Sequence, residues 1–431
     1  MERYGGAACD ATFAPATSHA ATTRDSAATM PAAPPDRRRA YAVPMPDPAR
    51  AAEPDMSIGV RDSRIDLIRG VSILLVLFHH FNIAYHLDDT ARATVFGWDA
   101  VRALARNGNY GVTMFFVISG YLITSRADRR WGGLPRIDAP SFYALRMARI
   151  IPCVLLLLAI VNLLALAGVP IFQNHAPNGH AVSFWTVNTA ALTFWMNVLI
   201  GRHGWVNYPL GVLWSLSVEE VFYLSFPIIC LSLRKEAHLL AFWAAIIVVG
   251  PVYRLAHQGD EGGFLYAYFA SFDGIAIGCC TALLAGQIPM RGSAAVPLQA
   301  LIAAAMAFFY LYRPIAQTNV LGVTAMALGT AVLVLGARHR PPGAGIQRAG
   351  AVAALGWFGR LSYELYLFHL IVLGALRTVF PPRLVGGEGK VLLLAVFLVS
   401  SAALSAAVAS VYAEPLNRRI RHSLVARTVR S

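Results

Sequence analysis

The chain has 431 residues, of which 57% are hydrophobic and 14% are charged, and its formal net charge is +13 at pH 7. An average soluble domain carries about 25% charged residues, so this composition excludes a soluble globular protein and indicates one that crosses a membrane several times. The basic residues do not alternate with aromatic ones along a groove-like stretch, which argues against a nucleic-acid partner. We attribute the positive charge to loops on the cytoplasmic side of a membrane.

The two ends of the chain differ in composition from the part between them. Residues 1–60 are rich in Ala, Pro and Arg and lack the apolar core of a signal peptide, so we expect a disordered cytoplasmic tail. Met56 is an alternative start, and with it most of this tail would not be translated. We assign 61–421 to a membrane domain and 422–431 to a basic cytoplasmic tail.

Apolar stretches long enough to cross about 30 Å of hydrocarbon as helices follow one another through the membrane domain. Eleven stretches qualify, namely 66–87, 108–126, 148–168, 183–200, 210–232, 238–256, 264–286, 295–312, 315–337, 361–380 and 391–413. The scattered cysteines lack the spacing of metal ligands, so we predict buried thiols and no metal site.

The positions of the arginines test whether all eleven stretches cross the membrane. The arginine-rich loop 126–149 and the basic C-terminal tail should both be cytoplasmic, and they fall on opposite sides if every stretch crosses. Omitting 183–200 removes the conflict, since its Asn, Thr and Trp residues suit an interfacial or re-entrant helix. The sequence therefore predicts an all-α polytopic bundle of about ten transmembrane helices plus one interfacial or re-entrant helix, with both termini cytoplasmic.

The first predicted span carries ionisable residues, which are costly in a bilayer and mark candidate functional sites. Arg69 and His80 are eleven residues apart, which returns them to within about 20° of the same helix face. A histidine suits a general base or an acyl carrier because its charge changes near neutral pH. The alternative is a histidine that only bonds a neighbouring helix. His79 points about 100° away from His80, and the choice between the two stays open.

The stretch at 210–232 places Ser215, Glu219 and Tyr223 on one helix face, at i, i+4 and i+8. We predict that Glu219 pairs with the imidazole of His80 and holds it in its working tautomer, as a buried acid does in hydrolytic triads. The alternative is a structural ion pair with an arginine.

Three other spans also carry polar residues. Ser362, Tyr366 and His369 form a polar stripe at i, i+4 and i+7, in which His369 either contacts substrate or packs against a neighbour. Ser119 precedes a glycine between aromatic residues, as at a close crossing of two helices. We expect Asp273, which small residues follow, to orient helices.

Seven motifs stand in the order and at about the separations found in the membrane-bound acyltransferase-3 family, which this chain resembles over roughly 62–421. They are RIDLIRGVSILLVLFHHF, GVTMFFVISGYLIT, FYALRMARIIP, LWSLSVEEVFYL, FDGIAIG, FGRLSYELYLFH and YAEPLNRRIR. The resemblance implies a ten-helix enzyme of the bacterial inner membrane. Such an enzyme moves an acyl group, often acetyl, from cytoplasmic acyl-CoA to a hydroxyl of a carbohydrate-type acceptor, such as a surface polysaccharide, a lipopolysaccharide or a glycosylated small molecule. It implies no permanently bound cofactor.

The family motifs assign roles to particular residues. The arginine and histidine of the first motif fall on Arg69 and His80, and the resemblance implies that these and Glu219 are catalytic. Arginines near the cytoplasmic rim can bind the phosphates of CoA bidentately or can merely set the topology; these are Arg126, Arg146 and Arg149. The residues expected to bind the acceptor are Trp214, Tyr223, Tyr363, Tyr366, His369 and Ser119. Ser271 stands where many relatives have an arginine.

Two other classes of function compete with an acyltransferase. Charged residues inside the membrane also mark the permeation path of a transporter or flippase for a lipid-linked or polar solute. A non-catalytic membrane sensor is the second alternative. The sequence has no internal repeat of the kind that many transporters show, which weakens the transport interpretation.

Overall fold

The computed structural model describes residues 62–175, 177, 182–288, 295–338 and 350–420, so the predicted tails at 1–60 and 422–431 lie outside the described residues. The regular structure of the described residues is helical. The α-helices are α1 (Ser63–Tyr85), α2 (Ala91–Phe96), α3 (Trp98–Ala105), α4 (Asn109–Trp131), α5 (Ala139–Leu166), α6 (Phe184–Leu192), α7 (Met196–His203), α8 (Leu213–Leu233), α9 (Glu236–Ala256), α10 (Tyr268–Leu284), α11 (Ala295–Tyr312), α12 (Ile315–Arg338), α13 (Ala351–Arg360), α14 (Ser362–Val379) and α15 (Glu388–Ala407).

Eight helical segments of the described residues are long and apolar enough to cross a membrane. They contain α1, α5, α8, α9, α10, α11, α12 and α15, and the last continues as helix to Ile420. The predicted all-α polytopic membrane bundle is confirmed. The predicted spans at 108–126 and 361–380 form α4 and α14, whose polar side chains keep them outside this group of eight. That these two helices also cross stays a prediction.

The segment 183–200 forms two short helices, as its predicted exclusion from the spans requires. α6 has nine residues and α7 has eight, so neither can cross a bilayer that needs about 20 helical residues. The chain breaks between them at Phe194, whose φ of 57° is left-handed.

Helices α4 and α10 cross at very close range, which only glycine permits. A Cβ atom on Gly120 would lie 2.1 Å from the carbonyl oxygen of Ile275, and one on Gly278 would lie 2.1 Å from that of Val117. Gly120 therefore permits close helix packing, in agreement with the sequence-based expectation of a close helix crossing beside Ser119. The same crossing fixes the direction in which α4 presents Ser119 to α8.

A buried ion pair joins α9, α10 and α12. Nη2 of Arg254 lies 2.7 Å from Oδ2 of Asp273, and both side chains are fully buried. The carboxylate also accepts hydrogen bonds from the Thr324 hydroxyl and from the backbone N–H of Gly274. These contacts agree with the expectation that Asp273 orients helices.

Candidate active site

The side chains of His80 and His369 meet between α1 and α14. Nδ1 of His80 lies 3.0 Å from Nε2 of His369, within hydrogen-bond distance. The other ring nitrogen of His369 lies 2.9 Å from the backbone carbonyl oxygens of both Leu365 and Tyr366. His369 is fully buried, whereas His80 is half-buried. The pair therefore has one closed end and one end with access to its surroundings.

His79 has a separate and local partner. Its Nδ1 lies 2.7 Å from the carbonyl oxygen of Ala105, the last residue of α3. Since a carbonyl only accepts, this nitrogen donates its proton and ties α1 to the C-terminus of α3. The geometry thus separates the two histidines that the sequence left open: His79 joins helices, and His80 belongs to a pair of imidazoles.

The polar stripe predicted on α8 is present and contacts two neighbouring helices. The Tyr223 hydroxyl donates a hydrogen bond to Oε2 of Glu219 at 2.6 Å, and its oxygen lies 2.9 Å from Oγ of Ser119. At the other end, Ser215 donates to the Tyr366 hydroxyl at 2.7 Å. The stripe thus connects α8 to α4 through Ser119 and to α14 through Tyr366.

The predicted direct pairing of Glu219 with His80 is not among the contacts of the described residues. The structure gives each of them another partner: Glu219 bonds to Tyr223, and His80 bonds to His369. The sequence could place Glu219 on the same face as Tyr223, but it could not say which helix would face α1. In the structure α14 takes that place.

The predicted basic residues cluster around Glu219. The charges of Arg69, Arg146 and Arg149 all act on its carboxylate, and the same three arginines act on Arg126. The guanidinium carbon of Arg146 lies 5.6 Å from the ring centroid of Tyr223. Helices α1, α4 and α5 therefore bring the four predicted arginines together, although they are spread over 81 positions of the sequence, from 69 to 149.

The aromatic residues expected to bind the acceptor differ in accessibility. Trp214 is only 5% exposed and Tyr223 is 6% exposed, so their rings offer little surface for stacking against a sugar. Tyr363 lies beside Arg149, whose guanidinium carbon is 5.7 Å from its ring centroid, and its hydroxyl donates to the carbonyl of Ile150. Trp214 and Tyr223 are therefore packed in the described structure, and contact of the three rings with an acceptor stays a prediction.

Trp205 is an aromatic neighbour of His80 that the sequence analysis missed. The ring centroids of Trp205 and His80 lie 6.4 Å apart. The indole N–H donates to the carbonyl of Tyr208 at 3.0 Å, and Gly211 leaves room for the ring, since a Cβ there would lie 2.0 Å from it. The half-buried ring is thus fixed in orientation. Its position in the polar segment before α8, where tryptophans gather near a membrane interface, was the available signal.

Comparison with known proteins identifies the family of the chain. Residues 62–411 match a family model described as an acyltransferase domain. The chain is 26% identical over 330 residues to the peptidoglycan O-acetyltransferase OatA of Listeria monocytogenes, covering 71% of this chain and 48% of that protein. It is 24% identical over 338 residues to YrhL of Bacillus subtilis, provisionally named a peptidoglycan O-acetyltransferase, covering 72% and 48%. No solved structure matches the chain significantly.

The fold is thus an all-helical membrane bundle, inside which polar residues of α1, α4, α5, α8 and α14 converge. The family match covers most of the chain, so the chain belongs to the acyltransferase-3 family of membrane-bound acyltransferases. It spans about half the length of the curated relatives that it matches.

Proposed function

We propose that the protein is an O-acyltransferase of the bacterial cytoplasmic membrane that moves an acyl group, acetyl in the first instance, from acyl-CoA to a hydroxyl of a carbohydrate-type acceptor. The observation that carries this proposal is the hydrogen bond between His80 and His369 inside a bundle whose four arginines also cluster. The similarity to a peptidoglycan O-acetyltransferase supports a carbohydrate hydroxyl as the acceptor.

The arginine cluster is the proposed entrance for the donor. Guanidinium groups bind phosphate bidentately, and the positive-inside rule places Arg146 and Arg149 on the cytoplasmic side, where acyl-CoA is made. The phosphates of CoA bind among Arg69, Arg126, Arg146 and Arg149, and the pantetheine arm extends between the helices toward His80. Glu219 limits the mutual repulsion of these arginines, since it lies within the reach of three of them.

His80 supplies the proton transfer. The acceptor oxygen attacks the thioester carbonyl carbon while its proton passes to a ring nitrogen of His80, and the C–S bond then breaks. The imidazolium returns that proton to the departing thiolate, so the products are an ester and free CoA and the histidine is unchanged. In the alternative order, a ring nitrogen of His80 attacks the thioester carbon and expels the CoA thiolate. The acceptor hydroxyl then attacks this acyl-imidazole, which forms the ester and frees the nitrogen, and the hydroxyl proton passes to the thiolate.

The test uses a strain whose chromosomal copy is deleted and which carries a plasmid copy. Membranes with the wild-type protein are expected to transfer label from [14C]acetyl-CoA into base-labile material, as an O-ester requires. His80→Gln is expected to lower this transfer by about 100-fold or more, since general bases contribute roughly 10²–10⁴-fold. His79→Gln is the matched control and should retain activity. Equal labelling by wild-type and His80→Gln membranes would contradict the proposal.

A further inference from the structure

We infer that His369 is a positioning residue that keeps the proton of His80 on Nδ1 and leaves Nε2 of His80 as the nitrogen that reacts. This inference rests on the proposed function and refines it. In this arrangement a second imidazole stands where a hydrolytic triad has an acid. His369 then positions His80, whereas the sequence analysis expected it to contact the acceptor.

The backbone fixes the proton of His369. Its Nδ1 lies 2.9 Å from the carbonyl oxygens of Leu365 and Tyr366, and carbonyl oxygens can only accept. This nitrogen therefore carries a hydrogen. A neutral imidazole has only one N–H, so Nε2 of His369 presents a lone pair.

His369 is neutral in the resting protein for a second structural reason. The side chain is fully buried, and in the part of the chain that the structure describes its hydrogen bonds go to two carbonyls and to His80, with no acidic group among them. A buried cation without a carboxylate partner is costly. This buried environment thus favours the neutral tautomer of His369 with the hydrogen on Nδ1.

The tautomer of His80 follows from that of His369. Their facing nitrogens lie 3.0 Å apart, and since Nε2 of His369 accepts, Nδ1 of His80 must donate. The lone pair of His80 is therefore on Nε2, which lies on the far side of the ring from His369. When Nε2 takes the proton of the acceptor hydroxyl, the bond from Nδ1 to His369 becomes charge-assisted, which stabilises the imidazolium without a second charge.

The surrounding helices hold His369 in this orientation. Its acceptor Tyr366 is itself tied to α8, because Ser215 donates to the Tyr366 hydroxyl and that hydroxyl donates to the carbonyl of Val212. Ser215 and Tyr366 thus act on His80 through the backbone that orients His369. Glu219 has no place in this chain of contacts.

Nitrogen NMR tests the tautomer directly and needs no acceptor. The full-length protein is labelled with ¹⁵N-histidine and placed in lipid nanodiscs at about pH 8, above the ordinary histidine pKa. The signals of His80 are those absent from the His80→Gln protein. The inference requires a protonated Nδ1 and an unprotonated Nε2 for His80, and the reverse assignment would overturn it.

Kinetics separate positioning from mere packing. His369→Phe keeps the volume but removes the acceptor, so kcat with [14C]acetyl-CoA should fall about 100-fold while KM for acetyl-CoA stays nearly constant. His369→Gln keeps an acceptor oxygen, so its kcat should be at least about a tenth of the wild-type value. Adding His369→Phe to His80→Gln should cause no further loss.

Each contrary outcome has a distinct meaning. Wild-type kcat in both His369 variants, or an equal loss from His369→Phe in the presence and absence of His80, would overturn the positioning role. Absence of any acetyl transfer by the wild-type protein would instead refute the proposed function and leave the NMR assignment standing. If His369→Phe fails to fold, the NMR result and His369→Gln still decide.

Discussion

Two buried polar clusters of this protein look alike in the sequence and differ in the structure. Arg254 and Asp273 are both fully buried, and the Asp273 carboxylate also binds Thr324 and the backbone of Gly274. The His80 and His369 pair is held just as firmly at its His369 end, but His80 is half-buried, and its ring bonds to His369 through Nδ1. The first cluster joins helices, whereas we propose that the second presents a reactive nitrogen.

The comparison shows that intramembrane polarity alone does not identify chemistry. A carboxylate whose oxygens are already occupied cannot act on a substrate, even when its position in the bilayer is as costly as that of a catalytic residue. What separates the two clusters is exposure, since both side chains of the ion pair are fully buried and His80 is half-buried. Substitutions can break each cluster separately.

Arg254→Met should have the largest effect on folding. Asp273 would be left charged and buried without its partner, which typically costs about 3–5 kcal/mol of the free energy of unfolding. Denaturant titration in nanodiscs measures the loss, and the protein that remains folded should keep its kcat. The double variant Arg254→Met, Asp273→Asn should recover most of the stability. A loss below about 1 kcal/mol would show that the ion pair does not join the helices as described.

Arg146→Gln should impair donor binding. The loss of one charge-assisted contact to phosphate is expected to raise KM for acetyl-CoA about tenfold, equivalent to about 1.4 kcal/mol, with kcat nearly constant. Steady-state kinetics at several acetyl-CoA concentrations measure it. Arg136→Gln is the control, since Arg136 is exposed and lies just before α5. An equal KM in both variants would remove the arginine cluster from the donor site.

Glu219→Gln sharpens the distinction between the two candidate partners of His80. An amide can still accept the hydrogen bond of Tyr223, so we expect a loss of less than about tenfold in kcat, the worth of one hydrogen bond. The loss in His369→Phe should be clearly larger. A loss in Glu219→Gln that equals that of His80→Gln would restore Glu219 as the residue that acts on His80.

The smallest effect is expected at the contact between the loop after α1 and the start of α15. Nζ of Lys390 lies 2.7 Å from Asp89, and this bond with the Gly387 N–H holds the pKa of Asp89 below its ordinary value of 3.8. A lowered pKa in the folded state stabilises the protein above that ordinary value, and this contribution is lost as the pH falls through the lowered pKa.

For this half-exposed pair the contribution should be under about 1 kcal/mol. The melting temperatures of the wild-type and Asp89→Asn proteins are measured at neutral pH and at a pH below the ordinary aspartate pKa. On acidification, the melting temperature of the wild-type protein should fall slightly more than that of Asp89→Asn. Asp88→Asn is the control, because Asp88 lies farther from Nζ of Lys390, at 3.8 Å, than Asp89 does, at 2.7 Å. Identical pH dependence in wild-type and Asp89→Asn proteins would show that the contact does not stabilise the fold.

The sequence predicted the helices better than it predicted which helices contact one another. The length of the apolar stretches and the positive-inside rule gave the bundle and singled out 183–200, because both depend on local composition. The face shared by Ser215, Glu219 and Tyr223 followed from helical periodicity alone. Which helix faces His80 depends on packing between segments almost 300 positions apart, as for His80 and His369, and no local pattern records it. The position of Trp205 in a polar segment could have drawn notice to it, but its contact with His80 also depends on such packing.

The decisive experiment is a structure of the protein in a nanodisc with a ketone analogue of acetyl-CoA, whose carbonyl stands in for that of the thioester. We expect its phosphates among Arg69, Arg126, Arg146 and Arg149, and its carbonyl on the Nε2 side of His80, with room for an acceptor hydroxyl about 3–3.5 Å from the carbonyl carbon. Binding of the analogue away from these arginines, or a carbonyl on the Nδ1 side of His80, would refute the proposed donor site.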